Sequence, residues 1–242
     1  MTKGKILAVI VAVVLFSGGL CFLLKPCWKT AVEQDKSSQR IREFQAYIQE
    51  ESPAPVTQPD SKAEPERAFS QLWEACQTYN CTIAANHQSL FSQVTISQPQ
   101  ICLADYGWEQ DSFGYLSIPA ADIEQPLYLG SSAAILDKGG AVLGQTSLPI
   151  GGEDTHTVIA GHRTWDTAVK FEGLEQLAAG DLVYLTNPWE TLTYSVIEVT
   201  IIQPNDTDRL LIQNGRDLLS LITCTYPNTR RVLVSCERTT DS

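Results

Sequence analysis

The feature that most constrains the fold is a series of short apolar runs, bounded by turn residues, that extends from Gly114 to Glu237. Such runs are typical of β-strands, and their irregular links without internal repeats favour a barrel or a sandwich. We therefore predict a mostly β domain with seven or eight strands and one short helix, Glu172 to Ala179. The predicted strands are Tyr115–Ile118, Leu127–Leu129, Thr155–Gly161, Asp181–Thr186, Thr191–Ile202, Leu218–Thr223 and Arg231–Glu237.

A second feature is the apolar segment Ile6 to Leu24, which holds nineteen residues without a charge. This length spans a hydrocarbon core, so we predict one transmembrane helix that anchors an extracytoplasmic domain. Lysines lie on both sides of the segment, so the positive-inside rule gives little information about its orientation. A cleaved signal peptide has a shorter apolar region, about 7–15 residues, and a small-x-small site, whereas Lys25 to Trp28 follow here. A lipoprotein signal at Cys21 is disfavoured because Leu20 stands where a small residue is expected.

The region between this anchor and the strands is less regular. Ala31 to Glu50 has the pattern of an amphipathic helix, the proline-rich stretch Ser52 to Asp60 is a stiff spacer, and Glu66 to Cys76 is a second predicted helix. Thr78 to Ser112 has no clear period, and we expect a mobile approach to the core. These assignments give three parts: a cytoplasmic leader and anchor (1–27), a helical and linker region with a candidate lid (28–112) and a β domain (113–242).

Charge and cysteine content limit the function. The net charge of -11 and the lack of any basic run argue against nucleic acid as a partner. No C-x-x-C pair occurs and no histidine lies at zinc-ligand spacing, so we expect no metal and no cofactor. Four of the seven cysteines could form two disulfides or could remain buried free thiols, and the sequence leaves both alternatives open. They are Cys76, Cys81, Cys102 and Cys236.

Three residues at strand ends could perform acyl transfer through a thioester. Cys224 ends one predicted strand, Arg231 begins the next, and His162 follows the strand from Thr155 to Gly161. A thiol needs a nearby base or cation to react, an imidazole can move the proton, and a guanidinium can hold an oxyanion. In the last strand, Arg231 has the parity of the exposed face, with Leu233 as the one apolar exception. If the two strands are neighbours, Cys224 and Arg231 meet on one outer groove.

The motifs around these residues resemble those of the sortase family. Leu221-Ile222-Thr223-Cys224 with the downstream arginine resembles the signature TLxTC, and Thr157 to Arg163 resembles the histidine strand of sortases. Gly114 to Pro119 is similar to the opening strand of the family. Thr146 to Gly152 and Asn228 to Arg231 resemble class C, pilus-assembling sortases. The resemblance covers roughly Phe113 to Glu237.

This resemblance implies an eight-stranded sortase-like β-barrel with short helices, preceded by N-terminal helices and one transmembrane helix. It implies a membrane-anchored cysteine transpeptidase that cleaves an LPxTG-like sorting signal after threonine. Cys224 would form a thioacyl intermediate, His162 would move the proton, Arg231 would stabilise the oxyanion, and Ile222 and Thr223 would contact substrate. The implied partners are pilins or surface proteins with a sorting signal and an acceptor amine, from a pilin lysine or a cell-wall precursor, at a Gram-positive-type cell surface.

Several alternatives stay open. His156 shares strand parity with His162, although the Gly-His context favours His162, and Arg230 is a second candidate arginine. The link between Cys224 and Arg231 is shorter than is usual in class C, no Asp-Pro-aromatic lid motif occurs, and no second apolar span follows. The other functions considered are a cell-wall cysteine peptidase, although papain-type enzymes place Cys before His, and a non-catalytic membrane-anchored assembly factor.

Overall fold

The described chain folds around a closed eight-stranded β-barrel. The computed structural model describes residues 34–50, 69–86, 97–163, 171–225 and 229–239, together with residues 16, 32, 88 and 227. The strands are β1 (Gly114–Ile118), β2 (Ile123–Leu129), β3 (Gly140–Val142), β4 (Thr155–Ala160), β5 (Leu182–Thr186), β6 (Thr191–Ile202), β7 (Asp217–Cys224) and β8 (Arg231–Arg238). They close in the order β1-β2-β3-β4-β7-β8-β6-β5. The predicted β-barrel is confirmed.

The direction of two strand pairs matters for the site. Neighbouring strands are antiparallel except β2 with β3 and β4 with β7, which are parallel. Parallel neighbours end at the same edge of a sheet, so the carboxyl ends of β4 and β7 lie side by side. The chain therefore brings the end of two distant segments to one rim of the barrel.

Strand parity separates two apolar clusters. Val232, Val234 and Cys236 of β8 are buried in the main core inside the barrel. Leu233 faces the other way, which explains its exceptional position in the sequence pattern. It is buried in a smaller outer cluster with Leu143, Val158, Ile202 and Leu210, against which Ala160 and Ile222 also pack. The outer cluster lies on the β4 and β7 side of the barrel that continues towards Cys224.

Within the described ranges, two helices pack on the barrel and a third is short. They are α1 (residues 34–50), α2 (Ser70–Ala85) and α3 (Ala133–Leu136). From α1, the ring of Phe44 lies 6.0 Å from those of Trp108 and Tyr115, and Leu72 of α2 is fully buried. The amphipathic helix expected over Ala31 to Glu50 is confirmed for its described residues.

The second helix extends further than the sequence indicates. We expected it to end at Cys76 and expected Thr78 to Ser112 to lack regular structure, but α2 continues to Ala85. Its buried positions include Asn80, whose amide donates to Leu148 O and whose Oδ1 accepts from Leu148 N. A polar residue on the buried face hid the helical period. Of the later residues in this segment, Trp108 is buried in the core.

Three other expectations need correction. The helix predicted over Glu172 to Ala179 is only a 3-10 turn, Leu174–Gln176, and β3 and α3 were missed. All five described cysteines are free thiols, so the disulfide alternative is wrong for Cys76, Cys81, Cys102 and Cys236. Only two of these four, Cys76 and Cys236, are buried.

No helix in the described ranges is long and apolar enough to cross a membrane. The predicted span, Ile6 to Leu24, lies outside the described residues except for Phe16.

Candidate active site

Parallel pairing of β4 with β7 brings His162 to Cys224. The register pairs Ala160 with Ile222, and continuing it by two residues sets His162 opposite Cys224. The pairing extends beyond the last strand residue, because Gly161 N donates to Ile222 O at 3.1 Å. The hydroxyl of Thr223 then donates to Gly161 O at 2.8 Å. Both backbone polar groups of the residue before His162 are thus held by β7.

The other side of this backbone is held by Phe171. Its N–H donates to His162 O at 2.9 Å. Its ring lies so close to Gly161 that a Cβ there would stand 2.7 Å from a ring carbon. Phe171 is fully buried and cannot give way, so only glycine fits before His162. The Gly-His pair noted in the sequence therefore has a packing cause.

The β7–β8 hairpin sets Cys224 beside Arg231. The two residues are direct partners in the antiparallel register, and both are half-buried on the outer face of the barrel. Side chains in such cross-strand pairs have Cβ atoms about 5 Å apart. The register thus makes Cys224 and Arg231 neighbours on the outer face of the barrel. One guanidinium nitrogen of Arg231 donates to Arg230 O at 3.1 Å.

A short closed link joins these two residues. Thr225 N donates to Arg230 O at 3.0 Å, and Arg230 N donates to Thr225 Oγ1 at 3.1 Å. Arg230, the alternative arginine, is exposed and follows this turn, whereas Arg231 lies within the strand. The register thus brings Arg231, rather than Arg230, opposite the thiol.

The imidazole of His162 has an acidic neighbour that the sequence did not suggest. His162 Nε2 lies 3.5 Å from Asp137 Oδ1, and the two side chains are 36% and 64% exposed. Asp137 follows α3, just before β3, and β3 pairs with β4. No motif or spacing marks this aspartate, because only the pairing of the short strand β3 brings it to the site.

His156, the alternative imidazole, is engaged elsewhere. It is buried, with Nδ1 2.9 Å from Leu211 O and Nε2 2.8 Å from Ser220 Oγ. Burial lowers the pKa of His156 from 6.5 to about 4, despite the opposing effect of the Leu211 hydrogen bond. A buried ring with both nitrogens bonded is unsuited to exchange protons with a substrate.

The two predicted substrate-contact residues differ in position. Ile222 is half-buried on the outer face, beside Ala160 and next to the outer cluster. Thr223 is 2% exposed and its hydroxyl is bonded to Gly161 O. This geometry gives Thr223 a part in holding β4 against β7, so a direct substrate contact by its side chain is not supported.

A separate cavity of about 840 Å³ lies at the opposite end of β4, beside Thr155. It is bounded by α2, by the turn from Ile150 to Asp154 and by Arg238. The six residues of β4 separate its rim from His162 by about 20 Å. Within the described ranges, no three His, Cys, Asp or Glu side chains are grouped as metal ligands would be. The cavity therefore adds no side chain to the site around Cys224.

The barrel with a thiol, an imidazole and a guanidinium at one rim defines a class of β-barrel proteins equipped for acyl transfer. Residues 116–239 match the sequence model of the sortase domain. The chain therefore belongs to the sortase family, whose members are cysteine transpeptidases, and the resemblance seen in its motifs is confirmed.

Solved structures similar to this chain include class C sortases. Sortase C of Streptococcus pneumoniae is 35% identical with a TM-score of 0.65, over 83% of this chain and 96% of that chain. Clostridium perfringens sortase C, solved with the C-terminal cell wall sorting motif, is 30% identical with a TM-score of 0.66, over 85% and 100%. Sortase A of Streptococcus agalactiae is 27% identical over 128 residues, 51% of each sequence. The match thus spans about half the length of this curated relative.

Proposed function

We propose that this chain is a cysteine transpeptidase that cleaves an LPxTG-like sorting signal after its threonine and transfers the new carboxyl end to an amine. The observation that carries the proposal is the register that pairs Cys224 with Arg231, supported by the parallel β4–β7 pairing, whose continuation by two residues would set His162 opposite Cys224. A nucleophile, a proton carrier and an oxyanion donor are the three groups that amide exchange through a thioester requires.

In the first half-reaction the thiolate of Cys224 attacks the threonine carbonyl carbon. A C–S bond forms, the C–N bond to glycine breaks, and His162 gives its proton to the departing amine. In the second half-reaction the acceptor amine attacks the thioester and loses a proton to His162. A new C–N bond forms, the C–S bond breaks, and the thiolate is restored.

We assign Arg231 the role of donating hydrogen bonds to the oxyanion of both tetrahedral intermediates or to the substrate backbone beside it. Its guanidinium remains charged at every working pH and offers five N–H donors, of which one is used by Arg230 O. Because it stands directly opposite Cys224, the remaining donors can reach a carbonyl held at the sulfur.

The outer cluster supports an apolar segment as substrate. Ile222 and Ala160 are half-buried and continue the surface of Val158 and Leu233 towards the thiol. Aliphatic side chains of an extended sorting signal could cover this surface and remove it from water. We assign Ile222 to this contact and leave Thr223 with its bond to Gly161.

The similar proteins support a proposal for the partner proteins and the acceptor. Class C sortases are among the similar structures, one of them solved with a sorting motif, which favours pilins with a C-terminal sorting signal and a pilin lysine as acceptor. The amine of a cell-wall precursor is the second candidate, because sortases A also match. We further propose that the apolar segment Ile6 to Leu24 anchors the enzyme in the cell membrane with the barrel outside.

The test is cleavage of a fluorogenic peptide with an LPxTG signal by the full chain in detergent, with and without an amine acceptor. We expect a cleaved product from the wild type, a ligated product when the amine is added, and loss of both in Cys224→Ala. Mass spectrometry of the wild type quenched in acid should detect the acyl-enzyme on Cys224.

Other outcomes separate the alternatives. Hydrolysis that never yields a ligated product would favour a cysteine peptidase. Binding of the peptide without cleavage would favour a non-catalytic assembly factor. Full turnover by Cys224→Ala would refute the assignment of the nucleophile.

A further inference from the structure

The neighbour of His162 across the barrel rim is Asp137, at 3.5 Å between Nε2 and Oδ1. This separation is that of an ion pair and is slightly longer than a hydrogen bond. Catalytic contacts are often long in a structure without substrate and shorten in the complex. Asp137 forms this ion pair with the imidazole, so its action on the reaction would pass through the ring.

The backbone that carries Asp137 is fixed from two directions. Arg40 of α1 donates a hydrogen bond to Lys138 O at 2.9 Å, one residue beyond Asp137. On the other side, Ala141 of β3 pairs with Ala160 of β4. The carboxylate is therefore held on the loop next to the strand that carries His162.

A carboxylate at Nε2 decides which ring nitrogen carries the proton. The oxygens of an ionised aspartate accept hydrogen bonds and cannot donate them, so a ring that bonds to Asp137 does so through Nε2–H. In the neutral ring, Nδ1 is then left with the lone pair that can take a proton from a thiol or an amine. The hydrogen bond at one ring nitrogen commonly fixes the role of the other in this way.

We propose that Asp137 is the positioning residue of His162, holding Nε2–H so that Nδ1 exchanges the proton, and that α1 secures this loop through Arg40. The inference rests on the proposed transpeptidase function for its catalytic meaning, whereas the ring geometry stands independently of that function. It adds a fourth side chain to the thiol, imidazole and guanidinium already assigned.

The other charged groups around His162 do not replace this carboxylate. Arg163 follows it directly and forms a short ion pair with Glu175. Cys224 lies opposite on β7, and Arg231 lies one strand further on β8.

The test compares Asp137→Ala, Asp137→Asn and wild type as full chains in detergent. With a sorting-signal peptide, Asp137→Ala should lower kcat about fivefold with KM within twofold, the upper range for an exposed ion pair. Asp137→Asn keeps an acceptor oxygen in the same place and should recover most of this loss. In ¹⁵N spectra of histidine-labelled protein at pH 8, Asp137→Ala should show a share of the Nδ1–H tautomer of His162 larger than that of wild type.

Asp111→Ala is the matched control, because it removes a neighbouring exposed ion pair on Lys138 without removing the partner of His162. It should leave kcat and the tautomer share unchanged. An unchanged tautomer share in Asp137→Ala, or an equal loss of kcat in Asp111→Ala, would overturn the inference. If the wild type failed to process the peptide, the proposed function would fail, and the tautomer comparison would still decide the role of Asp137.

Discussion

Mild acid should destabilise this fold through one buried imidazole, His156. A carbonyl only accepts hydrogen bonds, so Nδ1 must donate to Leu211 O at 2.9 Å, and Nε2 accepts from the Ser220 hydroxyl at 2.8 Å. The neutral ring is thereby satisfied, and a proton would create a buried charge. Burial, with a smaller contribution from the charge of Arg216, lowers the pKa of His156 from 6.5 to about 4 against the opposing effect of the Leu211 hydrogen bond.

The sign and size follow from this pKa. Because it lies below the ordinary value of 6.5, the unfolded chain binds more protons than the folded chain between pH 6.5 and about 4. The stability from neutral His156 is therefore present above pH 6.5 and is lost as the pH falls towards 4. At about 1.4 kcal/mol per pH unit, the whole window is worth about 3 kcal/mol, and the fall from pH 7.5 to 5 about 2 kcal/mol.

Urea unfolding followed by tryptophan fluorescence at pH 7.5 and 5.0 measures this loss. The His156→Gln variant should be less stable than wild type at pH 7.5, because it loses the ring and its bonds. On acidification, however, its free energy of unfolding should fall by about 2 kcal/mol less than that of wild type.

The comparison between variants isolates one residue. The hydrogen bond with Arg216 lowers the pKa of Glu237, so this carboxylate also contributes stability that is lost as the pH falls. That loss is the same in wild type and in His156→Gln. His162→Gln is the matched control, since it removes a half-exposed imidazole and leaves the loss that depends on His156 in place. An equal loss of stability in wild type and His156→Gln would refute the reasoning.

Three further predictions concern the groove and the thiols. Arg231→Ala should lower kcat/KM about 100-fold and the exposed Arg230→Ala less than about twofold in steady-state peptide kinetics; equal losses would contradict the assignment. Ile222→Lys should raise KM about tenfold with little change in kcat, because it affects binding and not the reacting atoms; a loss confined to kcat would argue against this contact. Burial raises the pKa of Cys76 and Cys236 to about 12, so peptide mapping after iodoacetamide treatment at pH 8 should find both unmodified in the folded protein. Their rapid labelling would contradict the buried thiols.

The strands were predictable where the sequence pattern is long and its boundaries are marked. β6 was predicted with both ends correct, since twelve residues of strand follow the turn at Asn187 to Glu190. β3 could not be predicted, because its three residues include a glycine and are extended only through pairing with β2 and β4. Such short strands depend on their neighbours more than on their own composition.

The site was predictable to the extent that it is local. Cys224 and Arg231 face each other across one hairpin, so parity within two adjacent strands was sufficient. His162 depends on parallel pairing between distant segments, which spacing cannot reveal and which the motif alone suggested. Neither strand parity nor a sequence motif indicates Asp137, because it belongs to a loop whose position depends on β3.

The position of Arg231 is secured by the barrel core itself. Side chains alternate along β8, so Arg231 faces outward only while Val232, Val234 and Cys236 face inward. A slip of one residue against β7 would turn these three buried side chains to the surface and the arginine towards the core. Each of those changes is costly, because burial of an unpaired charge and exposure of apolar side chains both oppose folding. The hydrogen bonds between Thr225 and Arg230 in the short link between β7 and β8 further restrict a slip of the two strands. The same packing that stabilises the barrel therefore holds the guanidinium opposite the thiol.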